Sequence, residues 1–508
     1  MWDALRAAYR ALVGTGLLEP NPLWALLQLG GCWLRFGGSL YTLAAWSAWR
    51  NPHGVALVEP GRSLTFAELQ ARADRLALLL QKNLKGQTVG LLCRNSMAFV
   101  ETLLACGRLG ADVVLLNTRF GPEQLSAVFG TKKIDLLVCD GEFRERLRGT
   151  ANAPAQILCA EDLSALSSQA VGRLSWGGFG RKPGSLVILT SGTTGPAKMV
   201  RRRPSLSQLL HTVPALLEQL RPQKGAPTLL TVPLLHGHGL ATLGLSLAMG
   251  APLYLFPSAR AEDFLRCIET NKIAVVVLVP TILYRLLQVV QPHDTGSIHT
   301  IVCGSAPLEA SLSMAALKRF GPVLFNLYGS SEAGLISLAT PQDLLEAPGT
   351  VGRVLSGVGV QLLRDDGTEA APPEPGQVWV RSGWVRDGRF NTRDIGYFDA
   401  NGRLFLLGRA DDLLVIGGEK VYPQTLEETV CAQLRYVQEC AVVGQASPEW
   451  GQSYHLFVVL KSEVSVEQIA QDLEALFPRS LRPAQITRVD ALPRNLAGKI
   501  MRCELVSG

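Results

Sequence analysis

Charge is scarce in this chain. Only 18% of its 508 residues are Asp, Glu, Lys or Arg, against 47% hydrophobic, which excludes a disordered polyelectrolyte and leaves ample material for a core. The two signs nearly balance, with 49 basic and 43 acidic residues and a formal net charge of +6. That excludes a dedicated nucleic-acid binder, whose affinity comes from dense phosphate neutralisation. Ten cysteines are scattered without a CxxC pair or a Cys/His group at zinc spacing; Cys431 and Cys440 lie nearest each other. They read as small buried hydrophobes of a reduced compartment, which places the protein in a cytoplasm. No GxxxxGK[ST] loop is present, and no Ser/His/Asp or Cys/His signature of a side-chain nucleophile. The length exceeds the roughly 250–300 residues at which one core stops growing, so at least two domains are expected.

Residues 1–50 stand apart. They hold Trp2, Trp24, Trp33, Trp46 and Trp49, but Arg6 and Arg10 interrupt the apolar run that a signal peptide needs. The uncharged run between Arg35 and Arg50 is shorter than the roughly 20 residues of a membrane span. Two readings stay open. One is an interfacial segment at the cytoplasmic face of a membrane, with the tryptophans at headgroup level and Arg6, Arg10, Arg35 and Arg50 toward anionic lipid. The other is packing on the protein's own body or on a second subunit. The mean hydropathy of +0.18 suits apolar ligands or a membrane surface.

From residue 51 the pattern alternates strand and helix. Strands are expected at 55–58, 88–93, 113–116 and 134–139, with helices at 64–80, 97–109 and 122–129; Thr65 and Glu68 stand at capping-box spacing. After a Gly-rich linker at 172–184, apolar strands recur at 186–189, 229–232, 253–256, 274–279, 300–303 and 323–327. Short strands at 358–363, 378–381 and 404–406 suggest a small all-β unit. A compact α+β tail follows, with helices near 424–434 and 466–476 and strands at 440–443 and 455–460. The fold class is therefore α/β. A large domain of parallel-sheet subdomains closed by a small β unit covers 51–409, and a small mobile α+β domain covers 410–508.

The strongest chemical signal is the loop that leaves the 186–189 strand: Thr190, Ser191, Gly192, Thr193, Thr194, Gly195, Pro196, Ala197, Lys198. Glycines let backbone N–H groups approach phosphate oxygens, hydroxyls add donors, and the lysine adds a charge. Further segments follow in order: Gly304-Ser305-Ala306-Pro307, then Tyr328-Gly329-Ser330-Ser331-Glu332, Thr392-Arg393-Asp394 and Gly408-Arg409-Ala410-Asp411. Gly417-Gly418-Glu419-Lys420 and Leu492-Pro493-Arg494-Asn495 with Gly498-Lys499 close the series. With these motifs in this order, the chain resembles the adenylate-forming superfamily, in its fatty acyl-CoA synthetase branch, over nearly all of its length from about residue 50.

The resemblance implies a set of roles. The 190–198 loop holds the ATP β- and γ-phosphates, with Thr190 and Lys198 serving catalysis. Gly304, Ser305, Ala306, Pro307 and Tyr328 sandwich adenine, with Gly329 and Ser330 beside it. Ser331 meets the α-phosphate, Glu332 holds Mg²⁺, and Asp394 and Arg409 bind the ribose hydroxyls. Lys499 bridges the substrate carboxylate and the α-phosphate. A rotation about Asp411 then brings Gly417, Gly418, Glu419 and Lys420 to line the channel for CoA. His236, His238 and Gly239, with Gly304 and Gly329, border the acyl pocket. No aspartate stands near His236 to pair an amino group, so an amino acid is not expected. Small residues over 239–250 leave room for a tunnel, and a medium- to long-chain fatty acid is the expected substrate. Small residues equally serve close helix packing, and the two histidines equally suit a structural pair.

Two departures from the family pattern stand out: Arg393 where glycine is usual, and a shortened stretch between Arg381 and Thr392. Two rivals to an acyl-CoA ligase remain: a ligase that loads a carrier protein and, motivated by Arg393 and the tryptophan-rich start, a catalytically weak acyl-nucleotide-binding scaffold at a membrane. Arg201, Arg202 and Arg203 read as a solvated charge run or as an attractor of phosphate.

Overall fold

A computed structural model describes residues 6, 9–10, 12–18, 21–83, 86–168, 184–190, 198–202, 211–256, 260–385, 388–495 and 498–506. The expected linker at 172–184 lies outside them except for its last residue. The chain divides into two compact units, Met1–Cys303 and Gly304–Gly508.

The first unit contains β1 (Val55–Glu59), β2 (Arg62–Thr65), β3 (Thr88–Leu92), β4 (Asp112–Leu115), β5 (Leu136–Cys139) and β6 (Ile157–Cys159). It continues with β7 (Leu186–Thr190), β8 (Lys198–Arg202), β9 (Thr228–Leu230), β10 (Leu253–Leu255), β11 (Val275–Leu278) and β12 (Thr300–Gly304). One sheet has the order β6-β5-β3-β4-β7-β8 and is parallel except for the β7–β8 hairpin. The other strands of this unit run β12-β11-β9-β10-β1-β2, parallel except for β1–β2. Both β3 and β5 are buried at every residue, as their unbroken apolar runs require.

The helix expected at 64–80 is found at Phe66–Asn83. It starts late because Leu64 and Thr65 pair with β1. The capping box forms: Glu68 N–H donates to Thr65 Oγ1 at 3.2 Å, and Thr65 N–H donates to Glu68 Oε2 at 2.8 Å. Phe66, Leu69, Ala73, Leu76 and Leu80 form its buried stripe at helical spacing.

Three helices of this unit matter below: α1 (Pro22–Phe36), α2 (Leu40–Arg50) and α3 (Gly237–Met249). Helix α2 buries Tyr41 and Trp46 and packs between α1 and α3. Its Ser47 hydroxyl donates to the Leu247 carbonyl of α3. Arg50 donates to the carbonyls of Leu17 and Ala248, and its guanidinium lies 3.5 Å from the Trp46 ring centroid. Arg50 is thus engaged inside the protein and does not face outward.

The second unit opens with antiparallel β13 (Leu324–Ser330), β14 (Gly334–Ala339) and β15 (Arg353–Val354). The small all-β unit is an antiparallel sheet of β16 (Gly359–Leu363), β17 (Gly376–Arg381), β18 (Phe390–Phe398) and β19 (Leu404–Arg409). Strand β18 was not expected, because Asn391, Arg393, Asp394 and Gly396 hide its alternation. The α+β tail has β20 (Leu414–Ile416), β21 (Glu419–Val421), α4 (Pro423–Gln433), β22 (Val437–Ser447), β23 (Gly451–Leu460), α5 (Val466–Leu476) and β24 (Gln485–Arg488). Leu426, Val430, Val442, Leu456, Ile469 and Leu473 form its core. Cys431 and Cys440 lie 3.7 Å apart at sulfur, and all ten cysteines are unbridged.

Candidate nucleotide and acyl site

The expected phosphate loop connects β7 to β8. Thr190 and Lys198 are register partners across that hairpin, so the two ends of the loop are held together by the ladder. Residues 191–197, the side chains of Thr190, Lys198, Arg201 and Arg202, and Arg203 lie outside the described structure.

His236 is the N-cap residue of α3, and the turn before it is fixed by a residue that sequence reading missed. The buried Asn95 side chain donates to Val232 O at 2.9 Å and accepts from Leu234 N–H at 2.7 Å. Only a glycine fits at 239, where a Cβ would stand 2.4 Å from Pro233 O. The Nε2 atoms of His236 and His238 are both buried. Burial, and then the neighbouring His236, push the His238 pKa down to about 4, so this ring is neutral at physiological pH. Of the two readings left open for the small residues, tunnel or close packing, two glycines show the packing. Gly244 is small because Leu40 of α2 packs against it, and Gly250 is the left-handed C-cap of α3. These glycines serve helix packing and termination.

The second unit brings together Tyr328, Asp394 and Arg409, three of the residues expected around adenine and ribose. Gly304 is buried and Ser305 has a positive φ of 72°. Tyr328 is buried on β13, and its hydroxyl donates to Asp394 Oδ2 at 2.5 Å. Burial and then the Asp394 carboxylate hold the phenol far above its usual pKa, so it stays a donor. Arg409 Nη1 reaches the other oxygen, Asp394 Oδ1, at 3.3 Å. Asp394 is aimed by a bulge: between Gln377 and Trp379 the register with β18 shifts, and Arg393 takes the left-handed conformation with φ 62°. Thr392, part of the motif but given no role from sequence, secures the bulge by donating to Val378 O at 3.0 Å and accepting from Asp394 N–H at 3.1 Å.

Arg393 does not crowd the carboxylate it precedes. Its Nη1 lies 3.2 and 3.1 Å from the two oxygens of Asp411, the expected hinge residue, in the short turn after β19. Arg409 Nη2 is 3.9 Å from the same carboxylate.

Ser331 and Glu332 occupy the turn of the β13–β14 hairpin. The turn is tight because Ser330 pairs with Gly334; a Cβ at Gly329 would stand 2.5 Å from Gly334 O. Ser330 Oγ accepts from Ala333 N–H at 3.0 Å, and Ser382 donates to Ala333 O at 2.7 Å. Ser382 belongs to the shortened stretch, so that stretch buttresses the turn. Among the described residues no group of three His, Cys, Asp or Glu side chains could hold a metal. Mg²⁺ does not need one, since it is bound by one or two carboxylates together with phosphates and water, and the half-buried Glu332 fits that demand.

Lys499 is exposed on a turn that is locked from both sides. Arg494 donates to Gly498 O at 2.9 Å and pairs with Glu439 of β22. Asn495 accepts from Lys499 N–H at 3.0 Å through its side chain and donates from its backbone to Lys499 O at 2.9 Å. The Gly417-Gly418 motif is the two-residue turn of the β20–β21 hairpin, with both glycines at positive φ. Glu419 and Lys420 follow on β21, and Lys420 pairs with Asp365.

A family model for AMP-binding enzymes matches residues 44–388, and one for the AMP-binding enzyme C-terminal domain matches residues 427–499. The chain is 30% identical over 473 residues to the 2-succinylbenzoate–CoA ligase of Bacillus licheniformis, covering 90% of this chain and 97% of that one. Among solved structures, it resembles the o-succinylbenzoate CoA synthetase of Bacillus subtilis in complex with its acyl-adenylate intermediate (TM-score 0.80, 26% identity, 91% and 97% covered). It also resembles ATP-bound MatB of Rhodopseudomonas palustris (TM-score 0.80, 26% identity, 92% and 98% covered). A further structure of the Bacillus subtilis synthetase holds ATP and a magnesium ion (TM-score 0.80, 26% identity, 91% and 99% covered). The fold is that of adenylate-forming enzymes, and ATP, Mg²⁺ and CoA fit it. The chain belongs to the AMP-binding enzyme family.

Proposed function

We propose that this protein is an ATP-dependent acyl-CoA ligase. A carboxylate attacks the α-phosphorus of ATP, giving an acyl-adenylate and pyrophosphate. The CoA thiol then attacks the acyl carbon, giving an acyl-CoA and AMP. The observation that carries this reading is the Tyr328–Asp394–Arg409 network. An ionised carboxylate offers about four lone-pair directions. Tyr328 and Arg409 use two, and the remainder suit a pair of vicinal ribose hydroxyls. The Tyr328 hydroxyl is spent on Asp394, so in this reading it is the ring that meets the flat base.

Adenylation brings two anions together. In this reading Lys499, fixed on its locked turn, stabilises the charge that develops on the α-phosphate, an effect on the order of 3 kcal/mol. Bound Mg²⁺ supplies further charge neutralisation at the phosphates, with Glu332 as its protein ligand. No side-chain nucleophile is required, because the substrate carboxylate and then a thiol do the attacking. Ser331, the 190–198 loop, and the Gly417–Lys420 hairpin keep the roles that the resemblance implies.

The acid is a finer question, with two candidates. The relatives' names point to 2-succinylbenzoate. One observation favours a medium- to long-chain fatty acid: residues 225–259, which include the histidine turn and all of α3, contain no Asp, Glu, Lys or Arg. That segment offers no cation to pair a second carboxylate, and its neutral His238 suits an uncharged chain. The test is purified protein with ATP, Mg²⁺, CoA and a panel holding both acids, read by pyrophosphate exchange and mass spectrometry. If no acid in the panel supports exchange by folded protein, the reading is overturned. Thioester formed on a carrier protein but never on CoA replaces it by the carrier-loading rival.

A further inference from the structure

Helix α1 is apolar around its whole circumference, yet only one side of it is covered. Gln28 and Arg35 are its only polar side chains apart from the cysteine thiol. Ala25 is buried, and Leu29 and Cys32 pack with Trp46 and Leu18. On the opposite side Leu23, Leu26, Leu27 and Leu34 follow helical spacing, with relative exposures of 70, 38, 59 and 55%. A helix at a protein surface ordinarily turns charge outward; this one turns leucine outward.

Aromatic residues extend the patch. Trp24 and Trp33 of α1 and Trp49 of α2 are each exposed by more than two-fifths. Trp24 and Trp49 meet edge to face at 6.3 Å, so the two helices present one continuous surface. Tyr9 and Val13 are exposed in the segment before α1. Trp46 and Tyr41 are the opposite case, buried in the packing of α2. The two readings of residues 1–50 thus separate by helix: α2 packs on the body, and α1 shows its second face to the outside.

Charge identifies what covers that face. From residue 20 to residue 58 the sequence has no Asp or Glu. Arg35 at the end of α1, and Arg6 and Arg10 before it, are exposed. A symmetric contact between two copies through α1 would set Arg35 against its equivalent, and residues 20–58 supply no carboxylate to pair it. An anionic lipid headgroup supplies it, while the leucines enter the acyl region and the tryptophans sit at the boundary. Among the described residues no helix is long and apolar enough to cross a membrane. Fifteen residues span about 22 Å, short of the roughly 30 Å hydrocarbon core, so α1 lies in the interface plane.

We propose that the Leu23, Leu26, Leu27 and Leu34 face of α1, rimmed by Trp24, Trp33 and Trp49 and ending at Arg35, docks on an anionic bilayer. This inference is independent of the reaction proposed above. Helix α2 bridges α1 to α3, so the docked face is two helices away from the histidine turn.

The test is co-sedimentation of the full chain with vesicles of phosphatidylcholine containing about one-third phosphatidylglycerol, and with vesicles of phosphatidylcholine alone. The expected result is binding to the mixed vesicles, weaker binding to the neutral ones, and a loss of more than tenfold in Leu23→Glu/Leu27→Glu. Both leucines are exposed, so circular dichroism and the pyrophosphate-exchange rate in lipid-free solution stay as in the parent. Quenching of tryptophan fluorescence by bromine-labelled acyl chains accompanies binding in the parent and not in the variant. No binding to either vesicle, or equal binding by parent and variant, overturns the proposal. So does a parent dimer that the same substitutions dissociate, which assigns the face to a second copy. Failure of pyrophosphate exchange with intact vesicle binding counts against the ligase reading alone.

Discussion

Arg393→Gly tests whether the cation in the bulge restrains the hinge. Arg393 sits at φ 62°, where a side chain costs about 1–2 kcal/mol relative to ordinary backbone. Glycine removes that cost but gives back about 0.4–1 kcal/mol through a more flexible unfolded chain. The Asp411 contact is lost too. Its side chains are 57 and 37% exposed, so the pair is screened and contributes about 0.2–1 kcal/mol. These terms nearly cancel, and global stability should shift by less than about 1 kcal/mol. The local effect does not cancel. In the two-step reading the C-terminal lobe turns about Asp411, and a conformation that breaks the Arg393 contact carries its loss. Removing the contact favours that turn by up to about fivefold, the equivalent of 1 kcal/mol.

Two separate assays read this: pyrophosphate exchange for adenylation, and thioester formation from supplied acyl-adenylate. The expected outcome for Arg393→Gly is a two- to fivefold rise in the ratio of thioester formation to adenylation, and a weaker salt dependence of that ratio. Arg393→Lys keeps a positive charge and the backbone cost, and should stay near the parent. An unchanged ratio in Arg393→Gly at low and high salt refutes the reasoning and leaves Arg393 a tolerated bulge residue.

Other outcomes follow from single contacts. Lys499→Ala should abolish acyl-adenylate formation yet permit thioester formation from supplied acyl-adenylate; equal loss in both steps counts against the two-step reading. Arg502→Ala should destabilise the C-terminal lobe by about 2–4 kcal/mol in chemical unfolding, because Glu427, nearly buried and 2.7 Å from Arg502, loses its cation. Adding Glu427→Gln should recover part of that loss, and a midpoint equal to the parent's would show the pair to be idle. His238, with its pKa lowered from 6.5 to about 4, resists protonation only while the chain is folded. Between those values the unfolded chain binds the extra proton, so stability falls as pH drops from 6.5 to 4, by at most about 3 kcal/mol from this residue. His238→Asn should flatten the pH dependence of unfolding in that window, and an unchanged slope would contradict the buried, neutral ring.

What could be read from sequence tracks how local its cause is. The helix Met97–Leu109 was expected to the residue, because Ser96 caps its start and Gly110 its end through contacts within a few positions. Strands such as β3 and β5 were found because burial on both faces leaves an unbroken apolar run. Strand β18 was not, since its Asn391, Arg393 and Asp394 serve a bulge whose purpose is to point a carboxylate at Tyr328, 66 residues away. The motif residues were recognisable as types, but their fixings were not: Asn95 reaches the histidine turn across 139 residues, and Glu439 holds the Lys499 turn across 55. Small residues were ambiguous for a related reason. Gly244 has the same appearance in a sequence whether it opens a tunnel or admits a neighbouring helix, and only the position of Leu40 decides. The N-terminal tryptophans needed the same arbitration, since burial of Trp46 and exposure of Trp24 arise from two helices of similar composition packed in different ways.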